Sequence, residues 1–225
     1  MNLEGAVIVT VDGPAGAGKT TVGRWLAKRL GAYFLETGVV YRMMAFFASA
    51  WGWEQEVFRQ RPDEVQEKLK LALRKSSLQP LEDSLDSEDL AMRASSLAQD
   101  PAVRDVALGI QRAMAQGHAR IVAVGRDAGS VIFPEASLKF FLTASLHERA
   151  LRRFQELSRK GVQEPKLSIL NRMQVRDQQD MERAASPLRI PEGGVVVDTT
   201  TMSLEQVEEL LYRKVQEYFG SLGGS

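Results

Sequence analysis

The sequence predicts an α/β fold, a parallel sheet doubly wound with flanking helices, and three observations carry that prediction. Ala6-Val7-Ile8-Val9-Thr10-Val11 is rich in β-branched residues and apolar on both faces, the pattern of a central strand covered by helices on each side. A glycine-rich turn follows it directly and opens into a helical stretch. Further strand candidates at Tyr33 to Leu35, Ile121 to Val124, Leu138 to Thr143 and Val195 to Asp198 are separated by helical segments long enough for parallel crossovers.

Between these strands, several helix starts are marked. Ser145 with Glu148, and Ser203 with Gln206, each have the Ser-x-x-Glu/Gln spacing of a capping box ahead of an amphipathic run, which predicts helices over roughly residues 145–160 and 203–219. Pro62 to Gln116 is helix-prone and charged, is broken at Asp100-Pro101, and contains little that reads as a strand of the main sheet. Residues 55–116 are therefore expected to form an insert, within one domain spanning 1–225. The terminal Gly-Ser-Leu-Gly-Gly-Ser reads as a disordered tail, and there is no internal repeat.

The 225 residues, 44% hydrophobic and 26% charged, suit one ordinary globular domain. Lys plus Arg and Asp plus Glu each total 29, so no bulk charge draws the chain to nucleic acid or to an anionic membrane. With no cysteine, disulfides, thiolate metal sites and a cysteine nucleophile are excluded. The run Ala6 to Val11 lacks the basic flank of a signal peptide, and Met43 to Trp53 is far shorter than the ~20 residues of a membrane helix. The expectation is a cytoplasmic protein, a monomer, with neither nucleic acid nor membrane as partner.

Gly13-Pro14-Ala15-Gly16-Ala17-Gly18-Lys19-Thr20 fits G-x-x-x-x-G-K-[ST] and lies where that motif requires, after a strand and at the start of a helix. Its glycines let consecutive N–H groups converge on phosphate oxygens, and the helix N-terminus adds its positive end. Lys19 then reaches the β and γ phosphates of a nucleoside triphosphate, and Thr20 can ligate Mg²⁺ carried by the nucleotide; Thr21 completes the expected nucleotide-binding set. This motif alone leaves GTPase, ATPase motor and small-molecule kinase open.

The acceptor is approached through four further stretches. Leu35-Glu36-Thr37-Gly38-Val39-Val40-Tyr41-Arg42 comes first, then Gly125-Arg126-Asp127-Ala128-Gly129-Ser130-Val131-Ile132-Phe133-Pro134. Lys139-Phe140-Phe141-Leu142-Thr143-Ala144-Ser145 follows, and then Arg176-Asp177 through Arg183-Ala184-Ala185-Ser186-Pro187-Leu188. In order and spacing they resemble the bacterial cytidylate kinase family of P-loop nucleoside monophosphate kinases. That resemblance implies a five-stranded parallel core, a monophosphate-binding insert and a helical lid over about 160–190. It implies transfer of a phosphoryl group from ATP to a pyrimidine nucleoside monophosphate, CMP or dCMP.

It also implies roles. Arg42, Arg126 and Arg183 fall at positions that contact the acceptor phosphate, for which guanidinium forks are suited. Asp180 falls where the acceptor ribose is held, and Thr37, Ser95, Arg104 and Asp127 fall around the acceptor. Lys19, Arg126, Arg176 and Arg183 form the expected catalytic set, neutralising charge on the group in transit. Without the matched motifs Arg42 and Arg183 would read as solvated helix arginines, Tyr41 as a core residue, and Thr37 equally well as a helix N-cap. His118 and His147 read as surface residues, since no partner is spaced to share a metal with them.

Three departures from the family pattern stand out. Val124 precedes Gly125-Arg126-Asp127 where the family carries an acid able to hold water on Mg²⁺, leaving Asp12 the nearest alternative. Gln179 replaces the second arginine of the lid, and the stretch from Leu73 to Glu88 lacks the strand-rich pattern expected there. Two other readings therefore stay open: a related small-molecule kinase acting on UMP, AMP or a shikimate-type acceptor, and a nucleotide-binding homologue weakened in catalysis.

Overall fold

A computed structural model describes residue 3 and residues 5–75 and 88–222. Five strands, β1 (Val7–Asp12), β2 (Tyr33–Glu36), β3 (Arg120–Gly125), β4 (Leu138–Thr143) and β5 (Val195–Asp198), form one parallel sheet in the order β2-β3-β1-β4-β5. Each strand prediction lands within about two residues of its element, as expected for boundaries read from sequence. The central β1 pairs in parallel with β3 from Val7↔Arg120 to Asp12↔Gly125, and with β4 from Val9↔Leu138 to Asp12↔Phe141. This register brings Asp12 and Gly125 level, so the phosphate loop and the Gly-Arg-Asp segment leave the sheet at the same edge of the ladder.

The chain divides into two compact units. The first, residues 5–34 and 118–222, carries the sheet, with helices α1 (Lys19–Leu30), α7 (Leu146–Arg159), α8 (Lys166–Glu182) and α9 (Leu204–Leu222). Its core packs Val9 and Val11 of β1 and Val122 and Val124 of β3 against Val22 and Leu26 of α1 and Val207, Leu211 and Val215 of α9. Those spacings are two in the strands and four in the helices, as one-sided packing requires. A second apolar cluster joins α7 to α8 through Ala150, Leu157, Ile169 and Met173.

The second unit, residues 35–117, contains α2 (Thr37–Trp51), α3 (Gln55–Gln60), α4 (Pro62–Lys75), α5 (Glu88–Leu97) and α6 (Pro101–Ala115). Val103, Val106, Ala107 and Ile110 line one face of α6 and pack with Val40, Met44, Phe58, Val65 and Leu69. The expected break at Asp100-Pro101 is a helix start: Asp100 caps α6, accepting from Ala102 N at 2.9 Å, and Pro101 takes the first turn, where its missing N–H costs nothing. Of the stretch from Leu73 to Glu88, residues 76–87 lie outside the described residues.

Two local expectations are corrected. Ser145 does accept from Glu148 N at 3.3 Å, but the Glu148 carboxylate turns to Arg152 at 3.0 Å instead of reaching back, while Ser145 N donates to Thr200 Oγ1. The ion pair one turn along competes for that carboxylate. Ser203 and Gln206 make the reciprocal box in full, at 3.2 and 2.8 Å. Of the expected disordered tail, residues 220–222 belong to α9, which runs through Leu222, and residues 223–225 lie outside the described residues. A helix anchored by buried Leu211 and Val215 carries one glycine at a cost of about 1 kcal/mol. Among the described residues no helix is long and apolar enough to cross a membrane.

Candidate active site

The phosphate loop begins hard against the sheet. A Cβ on Gly13 would lie 1.9 Å from the Leu142 carbonyl oxygen, and φ there is +145°, so no side chain fits. Gly18, at φ +86°, precedes α1 without any side-chain cap, which leaves the first N–H groups of the helix available to an anion. Thr20 and Thr21 are exposed in that first turn, while Pro14 and Ala17 are buried and Ala15 half-buried.

Lys19 is only 7% exposed, and its Nζ donates to the Pro14 carbonyl at 2.5 Å. Burial, then the charges of Arg126 and Arg176, push its ammonium well below the usual lysine range, against the pull of Asp12 and Asp180. A polyphosphate in the loop would pull the same way as those carboxylates. Cations held close at this price in repulsion are what binding of a polyanion repays.

Asp12 is fully buried at the end of β1. Its Oδ1 accepts from Ala128 N at 2.8 Å and its Oδ2 from Gly129 N at 2.7 Å, across the start of a π-helical turn, Ala128–Ile132. Burial raises its pKa to about 6, the two N–H groups oppose the rise, and Asp127 adds to it. The Asp12 carboxylate thus holds in place the segment that carries Arg126 and Asp127.

Around it the loop after β3 and helix α8 bring the expected charged residues together. Arg126 Nε donates to Asp180 Oδ2 at 2.9 Å. Arg183 donates to the Ser186 carbonyl at 2.6 Å and lies 3.6 Å from Asp180 and 3.9 Å from buried Asp127. Burial alone would raise the Asp180 carboxyl, but Arg126, Arg176 and Arg183 hold it below the usual carboxylate range. Arg176 is half-buried on α8, and Gln179 is exposed on the same helix.

The remaining expected acceptor residues lie in the helical unit. Thr37 is 3% exposed and opens α2, whose N-cap is Glu36; it is therefore not the cap that its sequence equally suggested. Its carbonyl accepts from the buried Gln111 Nε2 at 3.1 Å. Arg42, one turn on, pairs with Glu36 at 2.8 Å. Arg104 is buried on α6, donates to the Ala98 carbonyl at 3.1 Å and lies over the Tyr41 ring, 5.4 Å from its centroid. Ser95 is half-buried on α5.

Val124 is 2% exposed, in the apolar core, against Gly23 of α1 one turn after Thr20. It offers a metal nothing. Among the described residues there is no group of three or more His, Cys, Asp or Glu able to hold a metal. Magnesium is instead suited to one or two protein oxygens plus phosphates and water. The Thr20 hydroxyl and the Asp12 carboxylate fit that demand, since each Asp12 oxygen accepts a single N–H and keeps a lone pair. His118 and His147 are exposed as expected, His118 stacking on Tyr33 with centroids 3.9 Å apart.

Sequence reading missed three supporting side chains: Gln111, Asp177 and Arg149, the last 6% exposed and bonded to the phosphate loop through the Ala15 carbonyl at 3.0 Å. Asp177 lies in the Arg176-Asp177 stretch, whose resemblance gives it no role, and nothing in the local pattern marks Gln111 or Arg149, because each acts on a partner at least 28 residues away.

A parallel sheet whose first strand turns through a glycine loop into a helix, with a buried lysine at that turn and arginines gathered around it, defines a P-loop nucleotide-binding protein. The chain belongs to the cytidylate kinase family, whose model, described as Cytidylate kinase, matches residues 9–217. A cytidylate kinase of Caldanaerobacter subterraneus subsp. tengcongensis is 39% identical over 223 residues, covering 94% of this chain and 95% of that one. One of Thermosipho melanesiensis is 35% identical, with 93% and 96% covered, and one of Pseudomonas aeruginosa is 37% identical, with 94% and 96% covered.

Proposed function

We propose that this protein transfers the γ-phosphoryl group of ATP to CMP or dCMP, giving ADP and CDP or dCDP. The observation that carries the reading is the phosphate loop, in which buried Lys19 stands beside Arg126 and Arg176 within a family match over nearly the whole chain. An acceptor phosphate oxygen attacks the γ-phosphorus, the bond to the β–γ bridging oxygen breaks, and ADP leaves. There is little covalent work for the protein; positioning and charge stabilisation supply the rate.

In this reading Gly13 to Thr21 bind the triphosphate, and Lys19, Arg126, Arg176 and Arg183 stabilise the charge on the group in transit. Arg42, Arg126 and Arg183 hold the acceptor phosphate and Asp180 its ribose, with Thr37, Ser95, Arg104 and Asp127 around the rest of the acceptor. Thr20 and Asp12 would hold Mg²⁺ carried by the nucleotide, which would supply charge neutralisation on the phosphates. We place the enzyme in the cytoplasm, in pyrimidine metabolism, as a monomer. Residues 55–116 serve as the monophosphate-binding insert and 160–190 as the lid.

The test is a coupled assay that offers ATP with CMP, dCMP, UMP and AMP in turn. The reading requires CMP or dCMP to give the highest kcat/KM. A preference for AMP or UMP would replace the acceptor assignment, and nucleotide binding without any turnover would point to a homologue that has lost catalysis.

A further inference from the structure

We infer that Arg149 is a positioning residue: paired with Asp177, it couples the phosphate loop to helix α8. The inference rests on the nucleotide-binding reading above and concerns a pair to which that reading gives no role. One buried guanidinium makes three bonds to three segments. Its Nε donates to the Ala144 carbonyl at the end of β4 at 2.9 Å, and its Nη1 donates to the Ala15 carbonyl at 3.0 Å and to Asp177 Oδ2 at 2.6 Å. Only arginine has donors in a rigid fork that can serve all three.

The bond to Ala15 acts on the anion site itself. The peptide unit is planar and trans, so C=O and N–H point in opposite directions. Pinning the Ala15 carbonyl toward Arg149 therefore aims the N–H of Gly16 the other way. In a loop that binds phosphate through converging N–H groups, that orientation is part of the binding energy.

The bond to Asp177 acts on α8. Asp177 lies one turn before Asp180, which pairs with Arg126, and next to Arg176, whose charge reaches Lys19. Its other oxygen, Oδ1, is buried without a hydrogen-bond partner. A pair kept only for stability would be expected to satisfy both oxygens, since an orphaned buried acceptor is costly. The fold does not depend on the pair to join α7 and α8, which meet through Ala150, Leu157, Ile169 and Met173. A ligand that fixes the loop carbonyl strengthens the hold on α8, and by reciprocity a fixed α8 strengthens binding at the loop.

The test needs no acceptor. Amide hydrogen exchange of residues 166–182 is followed with and without a non-hydrolysable ATP analogue and Mg²⁺, alongside calorimetric affinity, in wild type, Asp177→Asn and Arg149→Lys. In wild type the analogue should slow exchange in α8. In both variants the analogue should bind about tenfold more weakly and the slowing in α8 should disappear, with the helical circular dichroism retained. Arg149→Lys keeps the charge opposite Asp177 but cannot make all three bonds, so it serves on its own if Asp177→Asn fails to fold.

Wild type that binds the analogue with no response in α8 overturns the coupling alone. So do variants that lose thermal stability while keeping wild-type affinity and the α8 response. Wild type that binds no ATP analogue at all overturns this inference together with the nucleotide-binding reading.

Discussion

The two compact units handle buried charge differently. In the unit of residues 5–34 and 118–222, charged groups are buried against one another: Arg149 with Asp177, Arg126 with Asp180, and Lys19 among Arg126, Arg176 and Asp12. In the unit of residues 35–117 the ion pairs of α4, Lys68 with Glu64 and Lys70 with Glu67, lie at the surface, where such pairs contribute little. There buried Arg104 and Gln111 spend donors on backbone carbonyls, and buried Asp100 caps α6 and pairs with exposed Arg59 at 2.7 Å. The first unit thus accepts an electrostatic cost that a bound polyphosphate would relieve, whereas the second meets its buried polar groups with backbone carbonyls, a helix cap and an exposed partner.

The sharpest break of that comparison is Lys19→Ala. If the lysine serves the phosphates, kcat/KM should fall by about 10³-fold, the scale for losing a central charge-stabilising group. Stability should hold or rise, because a repelled buried ammonium has been removed. Steady-state rates beside a thermal melt decide it, and near wild-type turnover would remove Lys19 from the reaction.

Asp180→Asn comes next. The three arginines hold its carboxyl low, so its stabilising contribution is present above the unfolded value near 3.8 and is lost as pH falls through the lower folded value. The variant should lose about 2 kcal/mol at neutral pH, the scale of a charge-assisted bond, and the gap to wild type should close as the pH is lowered. Urea midpoints measured from pH 7 downward test this. A gap that widens in acid would reverse the sign of the network.

Asp127→Asn asks whether the same charge reads the base. Cytosine presents a donor at its N4 amino group and acceptors at N3 and O2, whereas uracil presents N3–H and O4, so a carboxylate facing the outer group prefers cytosine. The ratio of kcat/KM for CMP over UMP should drop about tenfold, chiefly through CMP. An equal loss on both substrates would assign Asp127 to Arg183 alone.

The smallest effect belongs to the helical unit. Gln111→Leu removes the donor to the Thr37 carbonyl and should cost about 1 kcal/mol, a fall in Tm of roughly 3 °C. The KM for CMP should rise several-fold at unchanged KM for ATP. Equal shifts in both would mean the bond does no more than support the fold.

What the sequence determined by itself is what short-range chemistry dictates. The identity of the central strand follows from a β-branched run apolar on both faces. The phosphate loop follows from eight consecutive residues, Gly13 to Thr20, and the start of α9 from the Ser203 and Gln206 box, whereas Asp100-Pro101 reads only as a break and is the start of α6 in the structure. The sequence also placed Arg126, Asp127, Asp180 and Arg183 on a candidate list, through motif resemblance. Tertiary structure alone decided who pairs with whom. Arg126 meets Asp180 across 54 positions, and Arg149 reaches Ala15 across 134, separations over which no periodicity or capping rule carries information. It decided as well that Val124 is a core residue on Gly23 and that Asp12 supports a turn more than 110 residues away. The physical reason is one of range: backbone propensity and capping act within a turn of helix, whereas the burial that shifts a pKa or leaves a carboxylate oxygen unpaired exists only once distant segments exclude water together.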